Sequence, residues 1–354
     1  EESAMCMTSE DAHSAARTAP RAAYGSAVDP IHLDPVDEVV VTTLVDNTFD
    51  GLLAPGPGIE RGTFGAGQAP APHFEDGTAL LGLRAEHGFS ALVTVRSRES
   101  TSTIVFDTAM TPDSMVVNAQ RLGVDFGEVA AVVLSHGHFD HCGGLTGLAA
   151  ERGPRRTPLV VHPYAWTRRR FVMPGSELVF PTLSRKALES EGFELLERRV
   201  PSLLLDGRLL VTGEVDRTTE FERGMPPVHQ AWDGTEWRHD AAVIDDQAVV
   251  IHVRGRGLVV LTGCGHAGVV NIVRHAMRLT GVDTLCALIG GFHLNGPAFE
   301  PIIPATLDAL EAMGPDLLVP GHCTGWRAQH ALAARLPQAW VAGSSGTRYT
   351  LTAA

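Results

Sequence analysis

One short segment, SHGHFDH at positions 135–141, constrains this chain more than any other part of its sequence. It holds three imidazoles and one carboxylate, and it continues the apolar run 130–135 (AAVVLS), which predicts a buried strand. Grouping these side chains away from water costs free energy unless a cation binds them. Imidazole and carboxylate suit Zn²⁺ and related first-row cations. The segment therefore predicts a metal centre at the end of a strand.

The spacing within this segment predicts two cations rather than one. His136 and His138 are two residues apart, so both can face one cation in an extended turn. Asp140 and His141 lie further round the loop and can face a second cation. Gly137 lets the backbone turn tightly around the metals. We expect about two Zn²⁺ per chain, with Mn²⁺ or Fe as alternatives.

The order of predicted elements indicates how the chain is organised. The 354 residues suffice for one large or two ordinary domains. We predict a flexible N-terminal arm over 1–36, which lacks a sustained apolar period, and a single domain over 37–354. Within that domain, the stretch 51–78 is rich in glycine and proline and is predicted to form a long loop or lid. The stretch 164–240 is predicted to be an irregular insertion.

Strands and helices alternate in both halves of the predicted domain. This pattern is typical of an α/β (α+β) fold in which two mixed sheets pack face to face with helices on the outer faces, an αββα sandwich. Predicted strands lie at 38–45, 90–95, 103–107, 130–135, 158–162, 248–253, 257–262, 285–290 and 317–320, and predicted helices at 112–122, 145–150, 267–280 and 300–313.

Charge and composition exclude several classes of partner. A net charge of −13 argues against nucleic acid. The apolar runs fall short of the roughly 20 residues that a membrane span needs. The five cysteines are odd in number and form no C-x-x-C pair, which fits a reducing compartment, so we expect a cytoplasmic protein. No motif for a nucleotide or an organic cofactor is present. We therefore expect a small-molecule substrate, and a homodimer is left open.

The motif H-x-H-x-D-H after a buried strand resembles that of the metallo-β-lactamase superfamily, whose fold is an αββα sandwich with metals at one edge. The resemblance runs from about Val39 to the C-terminus. Further stretches are similar to the branch of metal-dependent hydrolases related to 7,8-dihydropterin-6-methyl-4-(β-D-ribofuranosyl)aminobenzene-phosphate synthase. These are 46–47 (DN), 86–90 (EHGFS), 262–266 (TGCGH), 290–294 (GGFHL) and 320–325 (PGHCTG).

The resemblance implies a set of metal ligands. His136 and His138 match ligands of the first metal, whereas Asp140, His141 and His322 match ligands of the second. Most members of the superfamily carry a bridging aspartate in a T-G-D sequence, but this chain has Thr-Gly-Cys-Gly-His at 262–266. His266 is the candidate for the remaining imidazole ligand. Cys264 takes the place of the aspartate, either as a thiolate ligand or as a small buried neighbour.

Other residues are candidates for catalysis or for substrate binding. Asp140 can both bind a metal and orient a water molecule. His293 and His87 are expected to line the site, with a structural role as the alternative for each. Seven histidines are assigned to loops or polar helix faces without a function: His13, His32, His73, His229, His239, His275 and His330. Six arginines could anchor a phosphate or carboxylate but are favoured as a solvated face: Arg152, Arg155, Arg156, Arg168, Arg169 and Arg170.

These features together predict a metal-dependent hydrolase. Two cations about 3.5–4 Å apart would lower the pKa of a shared water, giving a metal-activated hydroxide that attacks an ester, lactone, amide or phosphoester bond of a small molecule. The first alternative is a pterin-type synthase or transferase with a phosphate-bearing leaving group. The second is a non-enzymatic metal-binding or redox protein. A phosphorylated or an aromatic substrate is possible, and the loop at 51–78 leaves room for an aromatic one together with four tryptophans: Trp166, Trp232, Trp237 and Trp326.

Overall fold

The structure, a computed structural model, describes residues 29–65, 67–98 and 100–354. Residues 1–28 of the predicted arm lie outside these ranges. The following residues, 29–36, are docked on the domain, because Leu33 and Val36 are buried in its core. The backbone N–H of Val36 also donates to the carbonyl oxygen of His252 at 2.8 Å. The ordered domain therefore begins before residue 37.

The described chain forms twenty strands and seven α-helices. The strands are β1 (Glu38–Val45), β2 (Ile59–Glu60), β3 (Gln68–Pro70), β4 (Thr78–Leu80), β5 (Ser90–Arg96), β6 (Thr101–Phe106), β7 (Val129–Val133), β8 (Thr157–Val161), β9 (Arg169–Met173), β10 (Ser176–Val179), β11 (Phe193–Glu197), β12 (Ser202–Leu204), β13 (Leu209–Val211), β14 (His229–Trp232), β15 (Trp237–His239), β16 (Val249–Val253), β17 (Gly257–Thr262), β18 (Leu285–Gly291), β19 (Leu317–Gly321) and β20 (Arg348–Thr352). The helices are α1 (Ser114–Leu122), α2 (Phe139–Cys142), α3 (Leu145–Arg152), α4 (Arg185–Ser190), α5 (Val269–Thr280), α6 (Ile303–Met313) and α7 (Trp326–Arg335).

Two large mixed sheets form the centre of the molecule. The first has eight strands in the order β11-β8-β7-β6-β5-β1-β20-β2, and the second has six in the order β12-β13-β16-β17-β18-β19. Their strands are rich in β-branched residues, and the facing surfaces share one apolar core in which Val41 and Ile104 of the first sheet join Ile251 and Ile289 of the second. Burial of these side chains is the main favourable term that holds the sheets together.

Helices cover the outer face of each sheet. Met115 of α1 and Leu148 of α3 belong to the apolar cluster behind the first sheet. Ile272 of α5, Leu310 of α6 and Leu332 of α7 belong to the cluster behind the second sheet. The predicted αββα sandwich is therefore confirmed. None of the described helices is both long and apolar enough to cross a membrane.

The insertion over 164–240 is more regular than its sequence predicts. It contains a four-stranded sheet in the order β10-β9-β14-β15. The stretch 51–78 also contains short strands, since β2 pairs with β20 and β3 pairs with β4. Short strands give little alternation of polar and apolar residues, so the sequence indicated a loop over 51–78 and an irregular insertion over 164–240.

A buried ion pair attaches the insertion sheet to the domain. Arg169 of β9 is 1% exposed; its Nε donates to Asp240 Oδ2 at 3.2 Å, and its Nη2 donates to Asp245 Oδ1. Arg152 is also buried and donates to Thr157 Oγ1 at 2.8 Å. The prediction of a solvated arginine face is therefore wrong for both residues. A cluster of arginines in a sequence does not show which of them forms ion pairs with carboxylates that lie far away in the chain.

We expect Arg169→Leu to lower the free energy of unfolding by about 3–5 kcal/mol, because it leaves two buried carboxylates without their cation. Chemical denaturation followed by circular dichroism measures this loss. Arg335→Leu is the matched control, because Arg335 pairs with Asp308 and Glu311 at the surface and its loss should change stability little. Equal effects of the two substitutions would contradict the stabilising role of the buried ion pair.

Candidate metal centre

The candidate ligands lie at the carboxyl ends of parallel strands, which meet at one edge of the sandwich. In the second sheet, Thr262 of β17 lies opposite Gly290 of β18, and Gly291 lies opposite Gly321 of β19. The loops after these three strands therefore start side by side and carry Cys264, His266, His293 and His322. The loop after β7 brings the histidines of 136–141 to the same edge from the first sheet.

The two sheets approach each other closely at this edge. A side chain at position 263 would not fit, since a Cβ atom there would lie 2.0 Å from Ser135 Oγ and 2.7 Å from Asp107 Oδ2. Two candidate residues also adopt a left-handed backbone conformation, His293 with φ of 47° and His322 with φ of 46°. Such conformations are costly for residues other than glycine and cluster at functional sites.

The first cluster consists of His136, His138 and His266, all buried. His138 Nδ1 lies 3.2 Å from His266 Nε2, and His136 Nε2 is buried without a hydrogen-bond partner. Burial and the neighbouring imidazoles hold the pKa of each of the three well below its usual value. Three imidazoles whose charged form is disfavoured by burial thus converge, and neutral imidazole is the form that binds a metal.

The second cluster consists of Asp140, His141, Cys264 and His322. His141 Nε2 lies 3.1 Å from His322 Nε2 and 3.2 Å from Cys264 Sγ, and His322 Nε2 lies 3.4 Å from Asp140 Oδ2. Nitrogen ligands of one tetrahedral zinc ion lie roughly 3.3–3.4 Å apart when each Zn–N distance is about 2.0–2.1 Å. Both clusters therefore have the donor types and the spacing that fit a cation.

Charge is unevenly distributed in the second cluster. Burial disfavours the carboxylate of Asp140, but His141 and His322 outweigh that effect and lower its pKa. Burial disfavours the imidazolium of His141, but Asp140 and Asp107 raise its pKa to about 9. Burial, together with its neighbour Cys323, raises the pKa of Cys264, so this thiol needs a positive charge beside it to ionise. A bound cation would supply that charge.

Residues behind the ligands fix their orientation. Asp107, directly after β6, accepts a hydrogen bond from His141 Nδ1 at 2.7 Å. Asp46, directly after β1, accepts the backbone N–H of His322 at 2.7 Å, and Asn47 Oδ1 lies 3.1 Å from His322 Nδ1. These contacts leave Nε2 of both histidines facing the cluster. Sequence reasoning missed Asp107 and its role; the available signal was an acidic residue at a strand end.

His293 and His87 lie at the edges of the two clusters. The His293 ring centroid is 4.3 Å from that of His266, and its buried Nδ1 has no hydrogen-bond partner. The side chain of His87 is 60% exposed; its Nε2 lies 3.6 Å from Asp140 Oδ2 and its Nδ1 lies 3.2 Å from Asn47 Nδ2. Every described residue that the sequence singled out for catalysis or ligation is therefore at this edge.

One histidine assigned no function also lies there. His229 is the first residue of β14; it is fully buried, and its Nε2 lies 3.0 Å from Nε2 of His138. The assignment of His229 to a loop or polar helix face is therefore wrong. His275 of α5 is likewise buried, near Asp216 and Arg278.

A cavity of about 290 Å³ adjoins the metal clusters and has His266 and His293 in its wall. The rest of its wall combines apolar side chains with one carboxylate and one guanidinium: Phe221, Phe292, Leu294, Phe299 and Ile302 with Glu222 and Arg223. The four tryptophans considered above do not line this cavity. Aromatic surface next to the metal edge is thus supplied by phenylalanines.

Comparison with known proteins agrees with this architecture. The family model described as "Metallo-beta-lactamase superfamily" matches residues 84–274, more than half of the chain. The 7,8-dihydropterin-6-methyl-4-(beta-D-ribofuranosyl)-aminobenzene-5'-phosphate synthase of Methanocaldococcus jannaschii is 29% identical over 250 residues, covering 69% of this chain and 83% of that protein. The uncharacterized protein MJ0448 of the same organism is 27% identical over 261 residues, covering 72% of this chain and 90% of that protein.

Among solved structures, Tm1679, a metal-dependent hydrolase of the beta-lactamase superfamily, is similar with a TM-score of 0.65 and 22% identity. The match covers 89% of this chain and 99% of that one, and it concerns the fold. With the family model, the sandwich and the histidine motif in agreement, the chain belongs to the metallo-beta-lactamase superfamily.

Proposed function

We propose that this protein is a metal-dependent hydrolase that acts on an ester, lactone, amide or phosphoester bond of a small molecule. The observation that carries the proposal is the convergence of seven buried donor groups in two adjoining clusters, one of which holds an unpartnered His136 Nε2. Without a cation, the three imidazoles of the first cluster would be desolvated with no carboxylate among them.

The residues divide between two cations. His136, His138 and His266 would hold the first, and Asp140, His141, Cys264 and His322 the second. We expect Zn²⁺, since imidazole and thiolate ligands suit it, with Mn²⁺ or Fe as alternatives. When bound, such cations lower the pKa of a coordinated water and polarise an oxygen of the substrate.

Side chains around the cations can orient the substrate and move protons. Asp140 Oδ2 lies within 3.6 Å of both His87 Nε2 and His141 Nε2, so it can hold a water molecule in place beside them. Burial and His322 lower the pKa of His87, so its neutral ring can accept a proton from a water molecule beside Asp140. His293 faces the cavity side of the first cluster, where its ring can position a bound substrate against His266.

A second candidate function is a synthase or transferase with a phosphate-bearing leaving group. The relative from Methanocaldococcus jannaschii carries the name of such a synthase, and its identity to this chain extends over 250 residues. The phenylalanine-rich wall of the cavity favours this candidate, because an aromatic substrate could stack there. Both reactions would use the same donor groups, so the products distinguish them.

Protein purified without chelators should contain about two cations per chain, and His136→Ala should retain about one, because the first cluster loses a ligand with no substitute. Plasma mass spectrometry measures the metals. His252→Ala, in β16 away from the clusters, is the matched control and should keep the wild-type content. Wild-type metal content in His136→Ala would contradict the proposed first site.

Cys264→Ala should likewise reduce the metal content of the second cluster, since the remaining donors leave one coordination position open. The same mass-spectrometric measurement applies, and Cys286→Ala is the control because Cys286 is buried in the apolar core. An unchanged metal content would mean that Cys264 is a small buried neighbour and not a ligand.

The reaction can be assigned from products formed by the metal-loaded protein. A panel of aryl esters, lactones, amides and phosphoesters should release free alcohol or acid, and His136→Ala should reduce kcat/KM by about 100-fold or more. In parallel, a phosphorylated pterin is incubated with an arylamine, and mass spectrometry detects any coupled product. Coupling without hydrolysis would overturn the hydrolase proposal in favour of the synthase.

A further inference from the structure

His138 contacts an imidazole on each side. Its Nδ1 faces the first cluster, 3.2 Å from His266 Nε2, and its Nε2 lies 3.0 Å from Nε2 of His229. His229 Nδ1 in turn lies 3.0 Å from the backbone carbonyl oxygen of Asp240. The two histidines therefore form a chain of hydrogen bonds that runs from the metal cluster to the backbone of the insertion.

The backbone carbonyl of Asp240, at the end of this series of hydrogen bonds, determines which nitrogens carry hydrogens. A carbonyl oxygen can only accept, so His229 Nδ1 carries a hydrogen and donates it to Asp240. In the neutral tautomer that donates from Nδ1, His229 has its lone pair on Nε2, and His138 Nε2 is then the donor of the 3.0 Å contact. His138 is thereby held with a bare Nδ1, the atom that faces the first cluster.

We propose that His229 is a positioning residue that fixes the tautomer and the ring orientation of His138 for cation binding. The opposite tautomer of His138 would place a hydrogen on Nδ1 and block ligation there. Histidine ligands commonly donate their second N–H to a carboxylate, a carbonyl or water. Here the imidazole of His229, a residue of the insertion, accepts that hydrogen.

The pair of histidines is surrounded by aromatic rings. Both rings are buried, and the rings of Phe171 and Phe180 pack around them, with centroids 5.4 Å and 5.3 Å from His229 and His138 respectively. β14, which begins with His229, pairs with β9, so the acceptor is held by a sheet rather than by a mobile loop. Loss of its Nε2 would leave the His138 N–H without a partner.

The test compares two substitutions of His229 in the full chain. His229→Phe keeps a planar ring but removes the acceptor, whereas His229→Gln keeps an oxygen near the position of Nε2. Zn²⁺ affinity of each metal-free protein is measured by competition with a chromophoric chelator, and His136→Ala identifies the binding step of the first cluster. His275→Phe, which alters a buried histidine of α5, is the matched control.

We expect His229→Phe to weaken Zn²⁺ binding at the first cluster by about 10–100-fold, and His229→Gln to restore most of that loss. Circular dichroism of the metal-free proteins checks that each variant folds. Wild-type affinity in His229→Phe would overturn the inference, as would an equal loss in His229→Phe and His229→Gln. The inference rests on the metal sites of the proposed function, but it does not depend on the reaction. Absence of Zn²⁺ uptake by the wild-type protein would overturn those sites themselves.

Discussion

The desolvation of the metal-binding side chains is the constraint on which the rest of this structure depends. Seven donor groups are removed from water at one edge of the sandwich, where contacts of 3.1–3.4 Å join several of their nitrogen and oxygen atoms. Only a positive charge between them can offset this arrangement. The backbone must therefore be rigid enough to keep the donors together, and two sheets with a shared apolar core provide that rigidity.

Hydrogen bonds to a second set of polar groups hold the ligands in place relative to the sheets. Asp107 and Asp46 follow strands of the first sheet, and each accepts a hydrogen bond from a histidine of the second cluster. Asp245 connects the insertion to the first cluster, because one of its oxygens accepts from Arg169 and the other accepts the N–H of Gly137 at 2.8 Å. The ligand loops are thus fixed by residues that follow strands of the first sheet, by Asp245 and by the insertion.

The sequence predicts those parts of the fold and site that depend on neighbours in the chain. The ligands within 136–141 follow from one segment, and β-branched runs mark most core strands. His266 and His322 could be assigned through family motifs because each follows such a run. Asp107 carries no local pattern, and His229 contacts a partner 91 residues away, so its role arises only when the insertion folds back over the site. Arg169 was misjudged because its carboxylate partners lie more than 70 residues further along the chain.

The insertion reaches both the first cluster and the cavity beside it. It provides His229 beside His138, and it provides Phe221 in the wall of the cavity. Between them in the chain, Glu222 accepts the backbone N–H groups of Val270 and Asn271 at 2.8 Å and 2.9 Å, at the first turn of the helix that follows His266. A carboxylate at a helix N-terminus is stabilising, so this contact fixes the start of that helix. One segment therefore contacts His138, fixes the helix that follows His266 and lines the cavity. For this reason, changes in the insertion should alter substrate choice and metal affinity together.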